Sequence, residues 1–217
     1  TVTVALYGLS PEMDEIMAIA KINDLFVLED NAETMLSYYK GKLAGTLGHA
    51  ASFSFQSSKH LSAGEGGIII TNDEKLALDI RRISSLGYSG VSSDKGKITK
   101  NDIQLPNYSR HVSTGFNFRM PELCAAVVLG QLERVNELVD RRIEVANLFL
   151  EILLKAKWLV PQKTPEYSIN SYWTLVARLK HPSIDWMTFR DKFQKLGGDG
   201  IYAPWKLTYQ EPFYKDL

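Results

Sequence analysis

Cysteine is nearly absent from this sequence of 217 residues, because Cys124 is the only one. No internal disulfide can therefore form, and we expect a protein of the reducing cytoplasm. An excess of charge is lacking too, since 25 basic residues balance 25 acidic ones. With no basic patch, neither a nucleic acid nor an anionic membrane surface is expected as a partner. No apolar run approaches the ~20 residues of a membrane-spanning helix.

The sequence does contain enough apolar material for a real core. Hydrophobic residues make up 45% of the chain, which suits one large domain, or one domain and a smaller lobe. The first residues, TVTVALYG, form an apolar run typical of a buried strand. We therefore expect the sequence to be a piece of a longer protein.

The N-terminal residues predict a strand–helix–strand unit. β-branched and apolar residues alternate over residues 1–7. Apolar residues then recur at helical spacing over residues 13–20, with Ser10 as the predicted N-cap. A second apolar strand, residues 25–30, ends at Asp30. Such units build parallel α/β sheets, which bind ligands beyond the carboxyl ends of their strands.

The rest of the chain predicts further strands and helices. The expected strands are AASFSF, GGIIITN and residues 171–179, the expected helices are 74–86, 121–155 (straight or bent) and 183–197, and residues 87–106 are expected to form a loop. Pro161 and Pro165 mark the start of a C-terminal lobe.

One lysine stands in an unusual setting, the stretch SFSFQSSKHLSAGEGGIIITND of residues 52–73. A phosphate-binding loop places its glycines before the lysine and a helix after it, whereas here glycines and then a strand follow Lys59. A lysine that forms a Schiff base needs small neighbours and a nearby carbonyl cofactor, and a pyridoxal ring also needs a carboxylate at its nitrogen. Asp30, at the end of a predicted parallel strand, is a candidate for that carboxylate. The pattern alone is typical of a solvated loop lysine, and the spacing does not decide between that interpretation and a Schiff-base lysine.

Three motifs resemble one known family. The stretches LYG with MDEIMAIAKINDLFVLEDNAE, GKLAGTLGHAASFSFQSSKHLSAGEGGIIITND and GFNFRMPELCAA are similar to the DegT/DnrJ/EryC1/StrS aminotransferases, pyridoxal-phosphate (PLP) enzymes of fold type I. The resemblance covers nearly the whole chain. It implies an α/β fold with a three-layer α/β/α PLP-transferase large domain of the aspartate aminotransferase type. That domain has a mainly parallel sheet, and part of a small α+β C-terminal domain follows.

The resemblance also implies a domain organisation. Residues 1–120 would be the C-terminal portion of the PLP-binding large domain, residues 121–160 one or two long connecting helices, and residues 161–217 part of the small domain. Members of the family carry further cofactor-binding residues ahead of VTVALYG. We therefore expect the 217 residues alone to be inactive.

Five site residues are implied by the resemblance. Lys59 stands where the family forms its Schiff base, and Asp30 matches the carboxylate that faces the pyridine nitrogen. Ser54 matches a hydroxyl on the cofactor phosphate, and Glu33 should lie at the edge of the ring. Asn117 matches an asparagine that reaches the phosphate from the neighbouring subunit, which implies a homodimer.

Each of these roles has a structural alternative. Asp30 could cap a helix, Ser54 could face solvent on its strand, Asn117 could serve a turn, and Glu33 could lie on a solvated helix. Two histidines are also of interest. His111 lies where members of the family also carry histidine, so a substrate-side role is open, whereas His60 is expected to be a packing neighbour of Lys59. No metal is implied.

The function implied by the resemblance is transfer of an amino group to a nucleotide-linked keto sugar. Glutamate is the expected donor, pyridoxal 5'-phosphate is the cofactor, and amino-sugar biosynthesis is the context. Two alternatives stay open, a dehydratase of the same family and a non-catalytic regulatory or scaffold relative. The dehydratases have histidine in place of the lysine, and Lys59 argues against that alternative.

Overall fold

The computed structural model describes residues 1–91 and 100–215. The strands are β1 (Val2–Val4), β2 (Leu28–Asp30), β3 (Tyr38–Tyr39), β4 (Lys42–Leu43), β5 (Ala50–Ser54), β6 (Gly67–Thr71), β7 (Leu159–Pro161), β8 (Ser168–Ile169) and β9 (Ala177–Leu179). The helices are α1 (Met13–Ile22), α2 (Glu74–Ser84), α3 (Lys100–Gln104), α4 (Glu122–Leu132), α5 (Val135–Leu153), α6 (Trp186–Lys195) and α7 (Pro212–Lys215).

A four-stranded sheet in the order β1-β2-β5-β6 positions the site. Its first three strands are parallel, and β6 returns antiparallel to β5. Helix α1 connects β1 to β2 and buries Met13 and Ala20 against Val27 and Tyr39. The predicted strand–helix–strand unit is therefore confirmed.

The first strand is shorter than predicted. β1 ends at Val4, and residues Leu6–Gly8 form a 3-10 turn in which Tyr7 has a φ of 63°. A non-glycine residue rarely adopts this left-handed conformation, and an alternating pattern cannot predict it.

Two helices, α2 and α6, begin with a side-chain cap of the expected kind. Asp73 caps α2 by accepting the Leu76 N–H, and Asp185 caps α6 by accepting the Thr188 N–H. The prediction of Ser10 as a cap is wrong, because α1 begins after Glu12 without a side-chain cap and the Ser10 hydroxyl bonds to the Pro11 carbonyl.

Three other predictions needed correction or refinement. The long helix is two helices, α4 and α5, so the bent alternative is the right one. The expected loop of residues 87–106 contains the short helix α3, and part of that loop lies outside the described residues. Of the strand expected over residues 171–179, only β9 forms.

The chain divides into two compact units. One comprises residues 1–149 and 163–176, and it includes a small antiparallel sheet in the order β4-β3-β8. The other comprises residues 150–162 and those described from 177 onward, with β7 paired to β9 and the Trp158 ring packed edge-on against Phe189. No helix within the described ranges is long and apolar enough to cross a membrane.

Candidate functional site

The carboxyl ends of β1, β2 and β5 meet at one edge of the sheet. In register, Val4 of β1 pairs with Asp30 of β2, which pairs with Ser52 of β5. Tyr7 lies in the segment that follows β1, Asp30 is the last residue of β2, and the lysine turn follows β5. This edge is where parallel sheets gather their functional side chains.

Asp30 and Ser54 project from the same face of this sheet. Asp30 pairs with Ser52 in a parallel register, and Ser54 is two residues further along β5, so all three side chains share a face. Strand spacing and rise place the Cα atoms of Asp30 and Ser54 about 8 Å apart. Asp30 Oδ1 accepts the Ala32 N–H at 3.1 Å, and Ser54 Oγ accepts the Gln56 N–H at 3.2 Å.

The neighbouring carboxylate, Glu29, points to the opposite face and has a structural role. It is 3% exposed and accepts three backbone N–H groups, from Gly45 at 2.8 Å, Leu47 at 2.7 Å and Gly48 at 2.5 Å. These bonds fix the loop that leads into β5. Of the two adjacent acids, only Asp30 faces the side of Ser54.

Lys59 lies in a turn that is held by Gln56. The Lys59 N–H donates to the Gln56 carbonyl at 3.0 Å, and the Gln56 side-chain oxygen accepts both the N–H and the hydroxyl of Ser58. The Lys59 side chain is half-buried, and its Nζ lies 4.4 Å from the centroid of the Trp173 ring. Within the described part of the chain, no carboxylate forms an ion pair with this amine.

Trp173 and Arg142 complete the surroundings of the lysine. The indole N–H of Trp173 donates to the Ser58 carbonyl at 2.9 Å. The Arg142 guanidinium, on α5, donates to the Trp173 carbonyl at 3.1 Å and to the Lys59 carbonyl at 3.4 Å. Burial lowers the pKa of Arg142. Two segments that are distant in sequence therefore converge on the lysine turn.

Glu33 binds within its own subunit. Its Oε2 accepts the Tyr7 N–H at 2.8 Å and thereby supports the left-handed conformation of Tyr7. The Tyr7 ring in turn lies parallel to that of Trp173, with centroids 6.5 Å apart. The contact between Glu33 and the edge of a cofactor ring stays a prediction.

His60 is a buried structural neighbour of Lys59. It is 7% exposed and its Nε2 lies 2.9 Å from the Ser171 carbonyl, to which it donates as a neutral ring. Burial, assisted by the nearby cations of Arg142 and Lys59, lowers its pKa to about 4. The expectation that His60 packs beside the lysine agrees with this environment.

Asn117 and His111 lie in a different segment, and both are exposed. Asn117 forms an isolated bridge with Ser85, and His111 Nδ1 donates to the Leu86 carbonyl at 2.7 Å while its ring packs against Tyr88. No described contact joins either residue to Lys59. Their roles toward cofactor and substrate stay predictions.

Three residues of this site were missed at the level of sequence, namely Tyr7, Arg142 and Trp173. The strand-like composition of SYWTLVARL predicts a strand at Trp173, and the pattern of the long helix makes Arg142 one of its many charged residues. Asn170 and Ser171 stand just before Tyr172 and Trp173. Small polar residues of this kind favour a loop and argue against a continuous strand. Nothing local signals the contact with Lys59.

Comparison with known proteins agrees with this architecture. The sequence model of the DegT/DnrJ/EryC1/StrS aminotransferase family matches residues 1–217. The GDP-perosamine synthase of Escherichia coli O157:H7 is 36% identical over 146 residues, which cover 67% of this chain and 36% of that protein.

Two solved structures are similar in fold. The aminotransferase from Psychrobacter cryohalolentis has a TM-score of 0.76 and 29% identity, covering 90% of this chain and 52% of that one. An E. coli GDP-4-keto-6-deoxy-D-mannose-3-dehydratase with bound hydrated PLP has a TM-score of 0.78 and 26% identity, covering 90% and 51%. The predicted α/β fold of fold type I is confirmed. The chain spans about half the length of these solved relatives.

Proposed function

The chain belongs to the DegT/DnrJ/EryC1/StrS aminotransferase family, and we propose that it carries the lysine-bearing part of a PLP-dependent aminotransferase. The substrate is a nucleotide-linked keto sugar, and glutamate is the amino donor. A relative that makes GDP-perosamine supports a sugar nucleotide as substrate. The product is the corresponding amino sugar.

The groups at the sheet edge fit pyridoxal phosphate. Asp30 Oδ1 accepts the N–H of Ala32, two residues further along the chain, and no described residue donates to the other carboxylate oxygen. The Ser54 hydroxyl accepts one N–H, so its hydrogen can be donated to a phosphate oxygen. The Lys59 amine is close to a ring face and lacks a described carboxylate partner. An amine, a carboxylate and a hydroxyl donor are three of the groups with which a protein can hold this cofactor.

Each residue has a definite task in this proposal. When bound, the cofactor supplies an aldehyde for amine exchange and a ring that withdraws electrons from the reacting carbon. Lys59 Nζ, once free, takes the proton from the donor carbon that bears the amino group and later returns a proton. Asp30 holds a positive charge at the ring nitrogen, and Ser54 donates to the phosphate.

The observation that carries the proposal is the position of the Lys59 amine. The turn that carries Lys59 follows the carboxyl end of β5, next to the strand that ends at Asp30. The amine itself is half-buried against an aromatic face and has no described carboxylate to neutralise it. A lysine that served only solubility would project into solvent or pair with an acid, as Lys40 does with Asp14 at 2.7 Å.

We further propose that the active protein is a cytoplasmic homodimer in which Asn117 approaches the partner subunit's cofactor phosphate. Several large apolar side chains near and after Asn117 are exposed, among them Phe118 at 69%, Leu123 at 83% and Leu129 at 62%. Such a surface suits an interface between subunits. His111 lies six residues before Asn117, and its substrate-side role belongs to the same proposal.

The dehydratase reaction is the second candidate, because one similar solved structure is a dehydratase. The histidine next to the lysine, His60, is buried, donates to a backbone carbonyl and has a lowered pKa. It is poorly suited to act as an exposed base. Lys59 therefore favours transfer of an amino group.

The direct test uses the protein encoded by the complete reading frame, incubated with PLP, glutamate and GDP-4-keto-6-deoxymannose. Mass spectrometry distinguishes the products, since transamination replaces the ketone oxygen by an amine, whereas the dehydratase reaction removes a sugar hydroxyl. The amino sugar is expected, and it should be absent with Lys59→Arg, which keeps the charge. A product that lacks a sugar hydroxyl would favour the second candidate. Neither product, with this and other sugar nucleotides, would indicate a non-catalytic relative.

A further inference from the structure

Trp173 contacts the lysine turn in two ways. Its indole N–H donates to the Ser58 carbonyl at 2.9 Å, and its ring face lies 4.4 Å from Lys59 Nζ. Both Trp173 and Lys59 are half-buried. A cation held over an indole face at this distance is attracted by the ring quadrupole, most strongly where water is partly excluded.

Arg142 fixes the backbone on both sides of this contact. It donates to the carbonyl of Trp173 and to the carbonyl of Lys59. Because one planar guanidinium holds two carbonyls in a fixed geometry, the ring and the lysine cannot easily move apart. The contact is thus built into the fold of this unit.

Gly8 allows the segment that carries Trp173 to reach the lysine. The Ser171 N–H donates to the Gly8 carbonyl at 3.0 Å. A Cβ added to Gly8, which has a φ of +107°, would lie 2.9 Å from the Trp173 backbone nitrogen and would also meet the Tyr172 nitrogen. Only glycine permits this crossing.

A lysine that forms and loses a covalent bond in each turnover needs a defined place for its free amine. Its flexible side chain otherwise samples many rotamers. We infer that Trp173 is a positioning residue that holds the protonated Nζ of Lys59 against its indole face, both in the cofactor-free protein and after the amine has taken up a proton. The inference deepens the proposed function and rests on the role of Lys59 given there.

The main test needs no cofactor. Lysines of the cofactor-free protein are reductively methylated with ¹³C-formaldehyde and cyanoborohydride, and the Lys59 signal is assigned by its loss in Lys59→Arg. The dimethylated amine stays cationic and can remain over the ring. The ring current of Trp173 should then shift the Lys59 methyl signal upfield of the signals of lysines that lie away from aromatic rings, a group that excludes Lys40, which lies over Tyr39 and Tyr167.

Variants identify the ring that causes the shift. Trp173→Leu should abolish it, Trp173→Phe should retain a smaller one, and Gly8→Ala should reduce it by displacing the segment. The matched control is Trp186→Leu, which removes a ring that lies under another cation, Arg190, at 5.9 Å. This control should leave the Lys59 signal unchanged. Should Trp173→Leu fail to fold, the wild-type shift and its size in Trp173→Phe decide the question.

Kinetics in the protein from the complete reading frame provide the second measurement. In Trp173→Leu, kcat should fall roughly three- to thirtyfold, the factor for loss of a half-buried cation–π contact, with little change in KM. Trp173→Phe should retain most of the wild-type kcat. The inference would be overturned if the wild-type Lys59 signal were unshifted, or if the shift survived in Trp173→Leu. The proposed function would still stand in that case, provided that PLP and borohydride label Lys59. Failure of that labelling would refute the function and the inference together.

Discussion

Glu29 and Asp30 are adjacent in β2, yet they present their carboxylates to opposite faces of the sheet. Glu29 is buried and accepts three N–H groups of the loop that precedes β5. The Asp30 carboxylate accepts one N–H from the described residues, that of Ala32, and Asp30 shares its face with Ser54. One acid therefore stabilises the fold, and the other is available for chemistry.

Substitution of Asp30 should impair catalysis far more than cofactor binding. Asp30→Asn keeps the shape of the side chain but removes the negative charge, so removal of the glutamate Cα proton should slow by orders of magnitude. Deuterium exchange at the glutamate Cα measures this step. The control is Asp14→Asn, which removes only the exposed ion pair with Lys40. Wild-type exchange in Asp30→Asn would show that Asp30 merely accepts the Ala32 N–H.

Substitution of Glu29 should impair stability. Glu29→Gln replaces one carboxylate oxygen by an NH2 group, which cannot accept a hydrogen bond from a backbone N–H. The free energy of unfolding should therefore fall by about 1–3 kcal/mol. Urea denaturation measures the change. Glu144→Gln, which alters an exposed pair with Arg141, serves as the control and should have little effect. An unchanged midpoint in Glu29→Gln would contradict the structural role.

His60 predicts a specific dependence of stability on pH. Its folded pKa, about 4, lies below the ordinary value of 6.5 because the ring is buried. As the pH falls, His60 therefore binds a proton in the unfolded chain before it does so in the folded protein. The stability that His60 contributes is complete above pH 6.5 and is lost as the pH falls toward 4. The loss should amount to at most about 3 kcal/mol.

The measurement compares the wild type with His60→Gln, whose side-chain N–H can still donate to the Ser171 carbonyl. The variant should show a flatter decline of unfolding free energy between pH 6.5 and 4. His111→Gln, at an exposed position, should leave the decline as it is. Identical profiles for wild type and His60→Gln would show that His60 is not the group that titrates.

A shared site predicts complementation between subunits. Lys59→Ala and Asn117→Ala homodimers should both be impaired, whereas mixed dimers contain one site with both residues intact. Random mixing should restore up to about a quarter of wild-type activity, since half of the dimers are mixed and each has one good site. Mixing Lys59→Ala with Asp30→Asn is the control, because these residues belong to one subunit and no intact site can form. Equal recovery in both mixtures would contradict the shared site.

Much of the fold was predictable because it follows periodic patterns. The apolar spacing of α1 and α2, the acids that cap α2 and α6, and the strands on each side of Lys59 all carry local signals. The two-residue strands of the small sheet are too short to leave a pattern. The left-handed residue Tyr7 likewise has no local signal in its apolar run.

The candidate site was predictable only in part, for a physical reason. Lys59, Asp30 and Ser54 belong to motifs that can be recognised in the sequence. Trp173 reaches the same turn across 115 residues, through contacts that depend on Gly8 and on a guanidinium of α5. Tertiary contacts of this range leave no trace in local periodicity.

The most direct test of the central claim is reduction of the PLP-treated protein with borohydride, followed by peptide mapping. The account predicts one pyridoxyl group per chain, on Lys59, and none in Lys59→Ala, which should still bind the cofactor non-covalently but lose transamination. Lys40→Arg should be labelled at Lys59 as the wild type is. A pyridoxyl group on a different lysine, or full activity in Lys59→Ala, would contradict the account.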